Sequence, residues 1–548
     1  FNWEAEFPEA FAGKERGFHI IIGNPPWDKT KFEDPLFFAQ YRSNYRSLPE
    51  SRKKEIATDL LDKPHIAEAY EEQRQKTRVV NECYKASYPR NAGAGDGNLF
   101  RFLVERNLDL LAPGGTLNYV LPTGLLTEDG SIALRKHIFD EYRIVAFDGF
   151  ENRLKIFPDV DSRYKFGLIQ IERAQDALQS ARMRFMLTDP QVLDAGEGVF
   201  EYSLDDVKAT SPEHLAYMET RNGHADLDML KRAYRIFPRL DPDWLDFRRE
   251  LDATNDKAIF LEKNAPGLLP LYKGASIWQY DGLFGKPEYW LDPAAFDAHL
   301  LEREISRLID DIYLQLPGSP KNGRQEAVLK ALDLSRREEL AAFVQPDRKY
   351  FRLGFRDIAS DTNERTLIAA VLPPSFGAQN KLPVSIPKRY CLDAATRTIG
   401  VKETPLSRLF FAQALFNSLP VDWILRFSVA ITVNKTYLTR LPLPQPGDAE
   451  LRDNPAYAEL CRNSLRLSLF HNPGGFQALQ DLFGIADKDI PATPKQADAL
   501  RVRNDHLVAR LYGVSKAEFA HLLSSFAVLR KKRPEYARAV VQSYADHD

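Results

Sequence analysis

Asn24-Pro25-Pro26-Trp27 is the stretch of this chain in which residue type and spacing point most directly to chemistry. At average residue usage, an Asn followed by two prolines and an aromatic arises by accident in about one chain in two hundred of this length. An amino group conjugated to a base ring is a poor nucleophile, because its lone pair is delocalised into the ring. Two acceptors aimed at its hydrogens, the Asn24 side-chain oxygen and the Pro25 carbonyl, favour a more tetrahedral nitrogen whose lone pair points at an electrophile. Pro25 and Pro26 fix φ and donate no hydrogen bond, so the loop carbonyls are held outward and preorganised. Trp27 offers a flat face on which an extruded base stacks, a contact worth about 1–3 kcal/mol. The plain alternative is a strand-ending loop with a surface Trp.

The elements around this loop have the pattern of an open α/β sheet. Phe18 to Gly23 (FHIIIG) reads as a buried parallel strand that stops at the prolines. Asp28 to about Arg90 is polar and charged, a helical excursion with loops. Asn98 to Leu111 places Leu99, Phe102, Leu103 and Leu110 at helical spacing before Pro113-Gly114-Gly115. Thr116–Leu121, residues 143–148 and residues 166–172 read as strands, with a helix over Ile132–Phe139. Alternating strands and helices place a site at the strand ends. The domain reading is a catalytic core over 1–173, a charged helical connector over 174–260, an α+β domain over 261–447 and a helical region over 448–548.

Composition bounds the rest. With 548 residues, 44% hydrophobic and 28% charged, the chain has material for several cores and is neither disordered nor collagen-like. Net charge is −3, so binding of a polyanion must be regional rather than by bulk charge. Cys83, Cys391 and Cys461 have no paired spacing, which argues against a disulfide framework or a cysteine zinc site and for a reducing, cytoplasmic setting. No apolar run approaches the roughly 18 residues that span a bilayer. The ten histidines form no ligand spacing, and no metal is expected.

The loop and its surroundings resemble the amino-group DNA methyltransferases, in which Asn/Asp-Pro-Pro-aromatic is the catalytic loop and S-adenosylmethionine donates the methyl group. Phe1-Asn2-Trp3, Phe7-Pro8-Glu9-Ala10-Phe11 and Gly17 through Asp28 are similar to the lead-in of large adenine-specific restriction-modification methylases. Gly97-Asn98-Leu99-Phe100 with Phe102 and Glu105 resembles the next motif, and Gly114-Gly115 through Pro122-Thr123-Gly124 the one after. Ile156-Phe157-Pro158 is similar to a later motif, and the resemblance makes Phe157 the ring that packs on the flipped adenine. In that class the Gly-rich donor loop lies upstream of the catalytic loop. Residues 1–23 contain none, and Gly93-Ala94-Gly95-Asp96-Gly97 follows no strand, so it reads as a hinge. The chain is therefore read as the base-pocket part of a Rossmann-like methyltransferase sheet, its donor site supplied by upstream domains or a separate chain, and inactive alone.

A DNA-reading half is expected downstream. Residues 348–408 hold eleven Arg/Lys against five Asp/Glu, a local +6 suited to a phosphate track. Phe355 to Thr366 resembles part of the target-recognition domain of the same methylases. Arg356, Asn363 and Arg365 are of the types that bond base edges or phosphates; internal ion pairs are the other reading. Leu271–Gly274 to Trp278–Asp281 opens this domain by the same resemblance, whereas Arg530–Arg533 reads as a solvated helix end. No Glu is followed two residues on by Lys, so the common Glu-any-Lys nuclease set is not encoded here. The expected activity is adenine N6 methylation of double-stranded DNA in restriction-modification or phage defence. Two alternatives remain: methylation of an RNA base or a protein glutamine, and a non-catalytic DNA-specificity piece that needs a separate donor-binding chain.

Overall fold

The computed structural model describes residues 2–91, 97–174, 180–318, 323–359, 363–393, 395–429 and 432–544. The chain divides into two compact units, Phe1–Lys231 and Arg232–Asp548. Of the hinge expected over 93–97, residues 93–96 lie outside the described residues.

The first unit is built on six strands: β1 (Phe18–Gly23), β2 (Leu111–Pro122), β3 (Arg143–Glu151), β4 (Lys165–Glu172), β5 (Ser180–Leu187) and β6 (Phe200–Ser203). Their order across the sheet is β1-β2-β4-β3-β5-β6. β1 runs parallel to β2, with Ile20 opposite Thr116 and Gly23 opposite Tyr119. β4 is antiparallel to both β2 and β3, so the sheet is mixed. Alternate residues of β2 and β4, among them Leu117, Leu121, Ile169 and Ile171, are buried with Leu108, Leu134 and Ile138 from the covering helices. Each is apolar at the spacing that its element requires.

Between β1 and β2 the chain makes its helical excursion, with α1 (Glu50–Leu61) and α2 (Pro64–Ser87) closed over a small core of Phe37, Phe38, Tyr45 and Ile66. α3 (Leu99–Asp109) returns to the sheet. Two expectations need correction. FHIIIG is not a fully buried strand: β1 is the outermost strand, and Ile20 and Ile22 are 69% and 81% exposed. The stretch after residue 173 is not a purely helical connector, because β5 and β6 extend the same sheet. β5 was hard to read because Arg182 and Arg184 interrupt its apolar pattern. Arg184 is nevertheless buried, donating to Asp148 on the neighbouring β3 at 2.5 Å.

The second unit combines small sheets with a helical core. β7 (Phe247–Arg248), β10 (Arg352–Phe355), β11 (Ala369–Leu372) and β13 (Val384–Ser385) form one sheet in the order β11-β10-β13-β7. β8 (Leu269–Tyr272), β9 (Tyr289–Leu291) and β12 (Gly377–Ala378) form another, and β14 (Lys388–Asp393) and β15 (Thr398–Glu403) form a hairpin. The apolar helix α4 (Leu406–Phe416) is buried from Leu409 to Phe416. Its Gln413 donates to Ser464 and Ser468 and accepts from the Val371 amide. This residue stitches the α+β segment to the helical segment, and the two pack as one unit. No described helix is long and apolar enough to cross a membrane.

Candidate base pocket and recognition face

β1 delivers Asn24 at its carboxyl end, where ligands sit in open α/β sheets. Asn24 and Pro26 are exposed, and Pro25 is buried. No described residue engages the Asn24 amide or the Pro25 carbonyl. The loop leaves along a short ladder: Lys29 bridges Asn98, Leu99 N–H donates to the Asp28 carbonyl at 3.0 Å, and Thr30 N–H donates to the Gly97 carbonyl at 3.0 Å. A Cβ on Gly97 would lie 2.3 Å from Thr30 Oγ1, so a larger residue there would force the Thr30 side chain to move. Asn98 caps α3 by accepting from Phe100 N–H at 3.3 Å. Buried Glu105 accepts from the Arg90 amide at 3.2 Å and Asn91 Nδ2 at 2.6 Å, fastening the end of the helical excursion to α3.

Trp27 is the centre of an aromatic cluster. Phe157 meets it edge-on, with centroids 5.1 Å apart and planes at 69°. Tyr164 lies parallel to it at 5.8 Å and 8°, and Phe166 at 6.0 Å and 26°. The structure thus brings Phe157 to the loop from 130 positions away. Asn152, fully buried, holds the Phe157 turn: its amide donates to the Phe157 and Val160 carbonyls at 2.9 and 3.0 Å, and its oxygen accepts from Phe157 N–H at 3.0 Å. Sequence reasoning missed Asn152 and Tyr164. An Asn that ends a strand five residues before an aromatic is the only trace of the first, and nothing in the sequence singles out the second. Burial pushes the Tyr164 hydroxyl above its ordinary pKa, so it stays a neutral donor and acceptor. The Trp27 indole N–H is buried without a hydrogen-bond partner among the described residues, a cost that a bound polar group would relieve.

The pocket is built from one side. Among the described residues no strand pairs with the outer edge of β1, so none walls that flank of Asn24. The residues present suit an amine and the flat face of its base. They do not by themselves enclose an adenosyl group.

In the second unit the local excess of cations is largely neutralised from within. Of the eleven Arg and Lys in 348–408, nine have an internal partner. Arg365 is corrected by the structure: it is 2% exposed and faces buried Asp505 at 3.8 Å, out of reach of any nucleic acid. A guanidinium next to a fully buried carboxylate lowers the cost of that burial. Arg356 is half-buried; its Nε donates to the Ile277 carbonyl at 2.8 Å, and its guanidinium lies 4.8 Å from the Trp278 ring. Asn363 is exposed, and its carbonyl accepts from Arg426 at 3.0 Å. Arg530–Arg533 is only partly a solvated end, since Arg533 pairs with Asp498 at 2.6 Å.

Residues 1–58 match the family model of the Eco57I restriction-modification methylases. A methylase of this kind implies S-adenosylmethionine as the methyl donor. No curated protein matches the chain in sequence. Among solved structures it is similar to the type IIL restriction-modification enzyme MmeI in complex with DNA, at 10% identity and a TM-score of 0.42, over 93% of this chain and 57% of that one. It is also similar to the type IIG restriction endonuclease BpuSI, at 10% identity and a TM-score of 0.29, over 92% of this chain and 54% of that one. A nuclease-deletion mutant of the type ISP enzyme LlaGI with a DNA substrate mimic matches at 10% identity and 0.34, over 85% of this chain and 42% of that one. The chain spans little more than half the length of the first two.

Proposed function

We propose that this chain is the base-binding and target-recognition part of a DNA adenine N6-methyltransferase of a restriction-modification or phage-defence system. The observation that carries the proposal is the meeting of the unengaged Asn24 amide and Pro25 carbonyl with the rings of Trp27, Phe157 and Tyr164 at one strand end. Double-stranded DNA is the substrate, and the adenine is flipped out of the helix to reach the loop. Asn24 and Pro25 accept hydrogen bonds from its amino group, Pro26 stiffens the loop, and Trp27 and Phe157 hold the ring. S-adenosylmethionine, when bound, supplies a methyl group on an electrophilic sulfonium. The donor-binding part pairs with the free edge of β1 and covers Ile20 and Ile22, whether it belongs to the same polypeptide or to a separate chain. That bare apolar edge favours the second reading as far as this: alone, the chain binds DNA without methylating it.

The test is methyl transfer from labelled S-adenosylmethionine to duplex DNA, with the donor-binding part supplied. Asn24→Ala is expected to lower the rate on the order of 10²–10³, as removal of one preorganised partner of a transition state does. An unchanged rate would remove Asn24 from the chemistry. Tight binding of S-adenosylmethionine to this chain alone would refute the one-sided pocket.

A further inference from the structure

Leu283 and Phe284 form an apolar tip on the second unit, 50% and 58% exposed. Its base is held rigid. Trp278 and Asp281 exchange backbone hydrogen bonds at 2.8 and 3.0 Å, Asp281 Oδ1 accepts from Leu283 N–H at 2.9 Å, and Gly285 N–H donates to the Ser276 carbonyl at 3.0 Å. A Cβ on Gly285 would lie 2.7 Å from the Ala275 carbonyl oxygen, so the tip is pressed against the preceding turn. Phe284 stacks on Trp278 with centroids 5.6 Å apart, and the Arg356 guanidinium sits 5.7 Å from the Phe284 ring. A side chain kept from collapsing onto the core by such scaffolding has its exposed face fixed in place.

The surround is basic. Lys273 and Lys286 flank the turn in sequence, and Gly274 brings the Lys381 backbone and Arg356 together, its ideal Cβ falling 2.5 Å from Lys381 O and 3.8 Å from Arg356 Cγ. Lys381 and Arg249 share one fully buried carboxylate, Asp357, while their own side chains stay 45% and 56% exposed. Lys273 pairs with Glu288, Lys381 and Arg249 share Asp357 with Asp252 also beside Arg249, and Asp281 points to His471, which leaves Lys286 and Arg356 without a carboxylate partner among the described residues. An apolar tip flanked by Lys286 and Arg356 matches the base stack of a duplex beside its phosphate backbones, rather than an apolar protein surface.

We infer that the Leu283–Phe284 tip is a wedge that inserts between base pairs of double-stranded DNA and kinks it, with the surrounding cations on the flanking phosphates. This rests on the reading of the chain as a DNA-binding part and adds the residues that deform the target. A duplex labelled at both ends, titrated with this chain, reports affinity by anisotropy and bending by energy transfer. Wild type is expected to bend the duplex by roughly 20–90°. Leu283→Ala with Phe284→Ala is expected to abolish the bend and weaken binding about tenfold, with the salt dependence of affinity unchanged, because no phosphate contact is lost. Phe284→Trp keeps the bend. Lys273→Gln with Lys286→Gln lowers the salt slope by about 1–2 and spares the bend. Equal binding and bending by the double Ala variant would overturn the wedge while leaving the DNA-binding reading standing. A wild-type chain that binds no duplex would sink both. An unbent duplex, with dimerisation that the Ala variant abolishes, would put a second copy of the chain on the tip and overturn the proposal.

Discussion

Replacing Arg365 with alanine separates a recognition residue from a structural one. Arg365 and Asp505 are 2% and 1% exposed, with Arg365 Nη2 3.8 Å from Asp505 Oδ2. At that distance and an effective dielectric of about 20, the attraction is about 4 kcal/mol, within the 3–5 kcal/mol that breaking one side of a buried pair costs. Asp505 would keep its bonds from the Leu419 amide at 2.7 Å and Tyr536 Oη at 2.5 Å but would lose its cation. Burial already raises the Asp505 carboxyl pKa, and without Arg365 it rises further. A carboxyl that is more basic folded than unfolded makes the fold weaker as pH climbs from about 3.9 through the folded value. Arg365→Ala should therefore be less destabilising at pH 5 than at pH 8. Adding Asp505→Asn should recover much of the loss, since the amide oxygen can accept from the Leu419 amide while its NH2 donates to the Tyr536 hydroxyl, which can turn to accept. Urea unfolding followed by circular dichroism measures both effects. Unchanged stability with lost DNA affinity would refute the internal role and return Arg365 to the DNA-facing surface.

Two further outcomes follow from buried ionisable groups in the same unit. Burial opposes ionisation of Asp347, but Arg248, Arg307 and Lys388 outweigh it and hold the carboxyl far below its ordinary pKa. Asp347→Asn should cost about 3–5 kcal/mol near neutrality, and the deficit in chemical unfolding should shrink below about pH 4, where the wild type loses the same contribution; a deficit that is constant with pH would exclude the ion pairs as its source. His506 has its pKa lowered, first by burial, and its Nε2 lies 2.8 Å from the Val540 carbonyl. A group of depressed folded pKa stabilises above its unfolded value, so the melting temperature should fall as pH drops below about 6.5, and His506→Gln should remove that share of the fall. Identical slopes in both proteins would show that the ring stays solvated.

Legibility differed by kind of signal. β1 was readable to the residue because FHIIIG is β-branched, apolar and closed by two prolines, all local properties. α3 was readable because Asn98 caps it and its apolar residues recur at helical spacing. β5 was not, because buried Arg184 has the composition of a surface residue until Asp148 is known to face it. The +6 segment misled for a similar reason: a count of charges contains no information about Glu250, Glu304 and Asp505, which lie far off in sequence and meet Arg352, Lys388 and Arg365 only on folding.

By itself, then, the amino-acid order determined the residue types of the Asn24–Trp27 loop, two acceptors and an aromatic held by prolines, and the strand that presents them, because those depend on bonds and sterics within a few residues. Only the tertiary structure decided that Tyr164 and Asn152 stand beside that loop, that β1 lies at an open edge, and which arginines face inward. Those facts depend on which distant segments meet, and contact between them is set by the packing of the whole chain rather than by any local pattern.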